Sequence, residues 1–189
     1  MTNEKNPPLA LLKASLQKEV MMNDKPFSWL RVVHKAMKCP ERRYLFWWRI
    51  ASYLFQRRNS VVKNIARRIN RKLIQKYGAE IQLGAAIQPG MKITHYQGLI
   101  INSAATIGHS FKVRQNTTIG ITGNNTANLP ISINIGNNVS IGASSCIIAD
   151  QIEIGDNVVI GAMSFINKDI PSNSTVITEK TMRIITHSG

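Results

Sequence analysis

The chain of 189 residues carries 24 Lys and Arg against 10 Asp and Glu, a formal net charge of +14. With 43% hydrophobic and 18% charged residues it is neither a disordered polyelectrolyte nor a membrane bundle, and its length allows one domain with an appendage. The charge points to an anionic partner and is unevenly placed: residues 1–80 hold 18 basic and 5 acidic side chains, residues 81–189 only 6 and 5.

In chain order, residues 1–8 are polar and contain no apolar signal core. Residues 8–77 read as helices, with apolar residues at mixed three- and four-residue spacing over 27–38, 42–58 and 61–77. Pro26 and Pro40 mark breaks, and Gly78 ends the last helix. The most apolar run, 44–55, is short and interrupted by Arg49, so it does not span a bilayer. Arg57, Arg58, Arg67, Arg68, Arg71 and Lys72 form a dense basic face beside Trp47, Trp48, Tyr53 and Phe55. Two compatible readings arise: a helical cap over the end of the next unit, or a peripheral membrane surface. Nucleic-acid binding has only the charge in its favour and no motif. We therefore take 1–77 as a basic α-helical unit.

Residues 78–189 behave differently. Aliphatic residues recur every six positions at Ile81, Ile87 and Ile93, at Ile101, Ile107, Val113 and Ile119, at Ile135, Ile141 and Ile147, and at Ile154, Ile160 and Ile166. A period of six fits neither an amphipathic helix nor an alternating strand. It fits a β solenoid whose coils have three short faces, each sending one aliphatic side chain inward. Gly108, Gly120, Gly136, Gly142, Gly155 and Gly161 follow array positions, where tight corners are expected. Small or β-branched residues recur four after the aliphatic position, at Ala85, Ala105, Thr117, Ser145, Val158 and Ser164. The two cysteines, Cys39 and Cys146, fall one in each unit, which argues against a disulfide framework and for a reducing, cytoplasmic setting.

The array is interrupted twice in ways that matter for chemistry. Eight residues instead of six separate Ile93 from Ile101, and His95 lies in this stretch, so its side chain is expected on a protruding corner. Sixteen residues separate Ile119 from Ile135, and residues 121–130 form a polar, turn-rich excursion of the length that loops with a function often have. His109 reads as a surface turn, His34 belongs to the basic helical region and His187 to the tail. The array holds only His95 and His109, too few for a three-histidine zinc site, so no metal is expected.

The segment 80–171 resembles the hexapeptide-repeat acyltransferases, which fold as a left-handed parallel β-helix and are usually trimers with active sites between subunits. His95-Tyr-Gln-Gly98 followed by Leu99-Ile-Ile resembles the His-x-x-Gly-aliphatic motif of the serine acetyltransferase branch, and Glu80 stands at the separation where that branch places an acidic partner. The resemblance implies acetyl-CoA as donor, His95 as general base and Glu80 as the group that orients it, with Glu replacing the more usual Asp. It also implies coenzyme contacts at Ala143 and Ala162, in Ile141-Gly-Ala143 and Ile160-Gly-Ala162, and at Asn167, Lys168, Lys180 and Arg183. The nearest likeness is to polysaccharide O-acetyltransferases of the colanic-acid type. Thr94 stands where the serine enzymes carry Asp, Asn128-Leu-Pro130 where they carry Arg-His-Pro, and the helical unit is shorter than theirs. The expected activity is therefore O-acetylation of a sugar hydroxyl in surface polysaccharide biosynthesis, with serine O-acetylation and a non-catalytic anionic-surface scaffold as alternatives.

Overall fold

The computed structural model describes residues 8–123, 130–179, 181 and 183–185. It opens with four α-helices: α1 (Pro8–Leu16), which runs on into a π-helical turn at Gln17–Met21, then α2 (Trp29–Lys38), α3 (Pro40–Phe55) and α4 (Ser60–Tyr77). Pro40 sits at the start of α3, where its missing N–H costs nothing. Asn59 caps α4 by accepting hydrogen bonds from the N–H groups of Val61 and Val62. Gly78, at φ +60°, closes the same helix with its N–H on the Ile74 carbonyl. No helix among the described residues is long and apolar enough to cross a membrane.

From Glu80 the chain winds into a three-faced parallel solenoid. Its first three strands, β1 (Glu80–Ile81), β2 (Ala86–Ile87) and β3 (Lys92–Thr94), each start one face. The first face stacks Glu80, Ile100, Thr118, Cys146 and Phe165 in register, and the third stacks Lys92, Lys112, Ser140, Val159 and Thr175. Every strand pairing is parallel. All thirteen aliphatic residues of the sixfold pattern point inward, the most exposed being Ile166 at 6%. Each such side chain contributes roughly 1.5–3 kcal/mol by leaving water, which is why the inward period dominates the sequence.

The corners explain the rest of the pattern. Two corners of each coil pass through the left-handed region. One column comprises Gly90, Ser110, Asn138, Asn157 and Asn173, the other Gly78, Gly98, Asn116, Ser144 and Met163. Asparagine suits such positions because its short amide bonds locally. Here the amides also form a ladder: Asn138 Nδ2 donates to Asn157 Oδ1 at 3.1 Å, and Asn157 Nδ2 to Asn173 Oδ1 at 2.9 Å. The small residues four after each aliphatic are buried, and their hydroxyls are satisfied. Ser145 Oγ and Ser164 Oγ both donate to the Gly161 carbonyl, at 2.9 and 2.8 Å.

The helices close the first coil. An open solenoid end presents unpaired backbone carbonyls, a costly edge to bury. Trp48 Nε1 donates to the Ile81 carbonyl at 3.0 Å, and Arg49 donates to the carbonyls of Ile87 and Gln88 at 2.7 and 3.1 Å. Tyr44, Leu45, Trp48, Leu73 and Tyr77 join the solenoid's own apolar core. The expected single aromatic and basic surface is thus divided. Trp48 is fully buried under the solenoid, whereas Trp47 is 43% exposed and Arg57 stacks on the half-buried Tyr53. Trp48 cannot contribute to a membrane face because it packs in the solenoid's apolar core, with its indole N–H on the Ile81 carbonyl.

Arg49 is the centre of a buried ion pair. Its guanidinium donates to both carboxylate oxygens of Glu19, at 2.8 and 2.6 Å. Glu19 Oε1 in turn accepts the N–H groups of Gly90 and Met91, both at 3.0 Å. The π-helical turn and α3 therefore clasp the corner from which β3 departs.

Candidate active site

His95 follows β3 directly, in a corner two residues longer than the corresponding corner of the next coil: Glu80 pairs with Ile100, and Ile100 with Thr118. Its backbone is left-handed, at φ +57°. Among the described residues only His95 and Met22 are non-glycine residues with positive φ outside the two corner columns. Left-handed backbone is unfavourable for a residue with a Cβ and persists where the surroundings enforce it. The enforcing contacts are close by. Gly98 N–H bonds the Gly78 carbonyl at 2.8 Å, and Tyr96 packs edge-on to Tyr77 and parallel to Tyr44. The imidazole is exposed, as its place outside the sixfold pattern predicts.

It opens onto a cleft of about 630 Å³ between the helical unit and the third face. Met22, 51% exposed, gives the cleft an apolar side chain, Lys18, Arg42, Lys92 and Lys112 give it positive charge, and Leu45, Met91 and Ile93 lie buried behind its wall. Cys39 also lines it, and its thiol donates to Glu41 Oε2 at 3.1 Å. None of these wall residues other than His95 was singled out for this site by sequence, because the cleft joins segments far apart in the chain.

Glu80 lies on β1, on the face that follows the His95 corner, and is half-buried. Its carboxylate accepts a hydrogen bond from Gln82 Nε2 at 3.3 Å, and Gln82 Oε1 is fixed by the Ser103 N–H at 2.9 Å. No hydrogen bond or ion pair joins Glu80 to His95, and the two line different hollows. The residue stacked beneath the end of the His95 corner is Gly78, two positions before Glu80. Glu80 also reaches Tyr44: burial, aided by that carboxylate charge and opposed by a backbone hydrogen bond to Ile81, pushes the phenol well above its usual value of 10.0.

The expected coenzyme residues divide between two edges. Ala143 stands in the column that begins at Gln97, two residues after His95. Asn116 N–H bonds the Gln97 carbonyl, Ser144 N–H the Gln115 carbonyl and Met163 N–H the Ala143 carbonyl, at 2.9, 3.0 and 2.8 Å. Ala162 continues this column, so His95, Ala143 and Ala162 share one edge of the solenoid. A Cβ at Gly142 would lie 2.6 Å from Ala162 Cα, so glycine is required for the coils to stack there. Asn167 and Lys168 lie just beyond the strand Phe165–Ile166, at the far end of the first face and on a different edge. Arg183 is exposed in the extended tail. Lys180, His187 and loop residues 124–129 fall outside the described residues. His109 is exposed at the corner preceding the third face, with its N–H on Asn137 Oδ1 at 2.8 Å, and does not line the His95 cleft. No group of three metal-ligating side chains occurs among the described residues.

No family model matches the chain. A serine acetyltransferase of Synechococcus elongatus is 34% identical over 129 residues, which cover 68% of this chain and 50% of that protein. The Escherichia coli K12 protein WcaB, named as a putative colanic acid biosynthesis acetyltransferase, is 38% identical over 104 residues, 55% of this chain and 62% of that protein. This chain thus spans about half the length of the cyanobacterial relative. A solved structure of Entamoeba histolytica serine acetyltransferase isoform 3 superposes with a TM-score of 0.72 at 24% identity, covering 96% of this chain and 62% of that one. The chain is a homologue of the serine acetyltransferase-like hexapeptide-repeat acyltransferases, WcaB among them, and its fold is their left-handed β-helix.

Proposed function

We propose that the protein is an acetyl-CoA-dependent O-acetyltransferase that modifies a sugar hydroxyl in surface polysaccharide biosynthesis. The observation that carries this reading is the position of His95. It is an exposed imidazole held in a left-handed corner at the mouth of a cleft large enough for a sugar, on the same edge as Ala143 and Ala162. A thioester lying along that edge meets an acceptor hydroxyl entering from the cleft. His95 takes the hydroxyl proton as the oxygen attacks the thioester carbonyl. The C–S bond breaks, and the departing thiolate takes the proton from the imidazolium, leaving an acetyl ester and free coenzyme thiol. Such a base contributes roughly 10² to 10⁴ in rate, and fixed geometry contributes more. Glu80, the expected orienting partner, stands on the adjacent face and makes no hydrogen bond to His95. A homotrimer would set the edge bearing Asn167 and Lys168, and Arg183 of the tail, against the coenzyme held by a neighbouring copy.

Serine O-acetylation is the second reading, favoured by the names of several relatives. The two separate in one assay: the full chain with acetyl-CoA, offered free serine or a panel of sugars and nucleotide sugars, with the ester product identified by mass spectrometry. Turnover of serine alone would overturn the sugar reading.

The α2 surface adds a location to this proposal. Leu30, Val33 and Met37 fall on one side of the helix and are 85%, 46% and 61% exposed, with Trp29 beside them at 43%. At 100° per residue, His34, Lys38 and Arg31 follow one another along one side of this stripe, and the buried Val32 and Ala36 lie behind it. An apolar strip bordered on one side by Lys38 and Arg31, on a strongly basic unit, suits an anionic lipid surface, and we place the enzyme there, at the cytoplasmic leaflet.

A further inference from the structure

The cleft beside His95 carries more positive charge than its surroundings neutralise. Lys92 and Lys112 are partners in register on adjacent strands of the third face, which sets their Cα atoms about 4.8 Å apart. Like charges directly opposite on a sheet destabilise it unless something offsets them. Lys18 and Arg42 approach the same space from the π-helical turn and from the start of α3. None of the four has a carboxylate within ion-pair distance, since Arg49–Glu19 is the one ion pair among the described residues. Of the two acids in the wall, Glu19 is saturated by Arg49, Gly90 and Met91, which leaves Glu41 to offset one cation. Met22, 51% exposed, is the wall's exposed apolar side chain.

We infer that this cleft binds the phosphate or diphosphate of a phosphate-linked sugar, with the sugar hydroxyl directed at His95. The inference rests on the acyl-transfer reading for the chemistry after binding, but not for the anion site itself. Paired lysines grip a diphosphate as point charges, and Arg42 adds a planar donor fork. The diphosphate can come from a nucleotide sugar or from a polyprenyl-linked sugar, and both present the same group to Lys92 and Lys112. The thioester edge at Ala143 and Ala162 lies in later coils, so the coenzyme's own phosphates do not need these residues.

The test uses the full chain with saturating CoA, so that the coenzyme site is filled. Inorganic pyrophosphate titrated calorimetrically is expected to bind, to weaken as salt rises, and to lose about tenfold in affinity in Lys92→Gln/Lys112→Gln, the effect of losing one or two charge-assisted hydrogen bonds. Both lysines are exposed strand residues, so the variant keeps its fold, which circular dichroism checks. Absence of pyrophosphate binding, or binding unchanged in the variant, overturns the inference. In the activity arm a free sugar, its 1-phosphate, its nucleoside diphosphate and a polyprenyl diphosphate sugar in micelles are compared as acceptors. KM should rise about tenfold in the variant for the phosphate-bearing acceptors alone, with KM for acetyl-CoA unmoved. Equal KM for the free and phosphorylated sugar in the wild type also overturns it. Pyrophosphate binding with no thiol release from any acceptor supports the anion site and sinks the acyl-transfer reading, so the two fail separately.

Discussion

Glu19→Ala is a sharp perturbation of this molecule, because one carboxylate ties three segments together. Its side chain is fully buried and accepts four hydrogen bonds, two from Arg49 at 2.8 and 2.6 Å and two from the N–H groups of Gly90 and Met91 at 3.0 Å. Truncation leaves the Arg49 guanidinium, only 6% exposed, with just the carbonyls of Ile87 and Gln88 as acceptors. It also leaves two N–H groups without partners. Removing one member of a buried pair costs about 3–5 kcal/mol, a large part of the roughly 5–15 kcal/mol typical of a whole domain. Because the clasp holds the corner preceding β3, activity should fall along with stability. The assay is equilibrium urea unfolding of Glu19→Ala, Arg49→Met and the double variant Glu19→Leu/Arg49→Met at one protein concentration. The double variant should be more stable than Glu19→Ala, since no uncompensated charge remains. A loss below about 1 kcal/mol in Glu19→Ala would refute the reasoning.

Three further outcomes are expected from the geometry. Tyr44 is buried as a neutral phenol whose titration is pushed upward, so above pH 10 the unfolded chain loses a proton that the folded chain keeps, and stability declines with rising pH. Tyr44→Phe should flatten that alkaline decline between about pH 10 and 12 in unfolding midpoints; an unchanged slope would count against the buried neutral phenol. Gly142→Ala forces its new methyl against the Ala162 backbone, so it should lower the melting temperature and raise KM for acetyl-CoA, while Gly120→Ala, which meets only the side-chain carbons Ile148 Cδ1 and Thr118 Cγ2 at 3.5 Å or more, should do neither. Charge placed on the α2 stripe by Leu30→Glu/Val33→Glu should abolish co-sedimentation with vesicles rich in phosphatidylglycerol; full retention would exclude that face.

The solenoid was legible because its physics repeats. Ile81 through Ile166 had to face inward at each turn, and one inward residue per short face leaves a period nothing else mimics. In the corner columns Asn138 and Asn157 are residue types that suit left-handed backbone, whereas Ser110, Ser144 and Met163 occupy the same positions without advertising it in their chemistry. His95 was visible as an interruption of the sixfold spacing. The Glu19–Arg49 clasp was not visible, since its partners are thirty residues apart in helices whose mutual orientation no local pattern encodes. Trp47 and Trp48 are adjacent and chemically alike; Trp48 falls on the α3 face that packs into the solenoid core and bonds the Ile81 carbonyl, whereas Trp47 is turned away from it, and no local pattern tells which face meets the solenoid. Asn167 and Lys168 were grouped with Ala143 and Ala162 by likeness to other chains, and a solenoid's edges cannot be told apart without knowing where each corner falls.

The most direct measurement is the rate of thiol release from acetyl-CoA in the presence of an accepted sugar, compared between the wild type, His95→Ala and Glu80→Gln. The imidazole is exposed and outside the core, so His95→Ala should unfold at an unchanged temperature while its rate falls by roughly 10² to 10⁴. Glu80→Gln should fall by less, because its carboxylate makes no hydrogen bond to His95 and is held by Gln82 instead. A His95→Ala protein that stays folded and releases thiol at the wild-type rate would contradict the account.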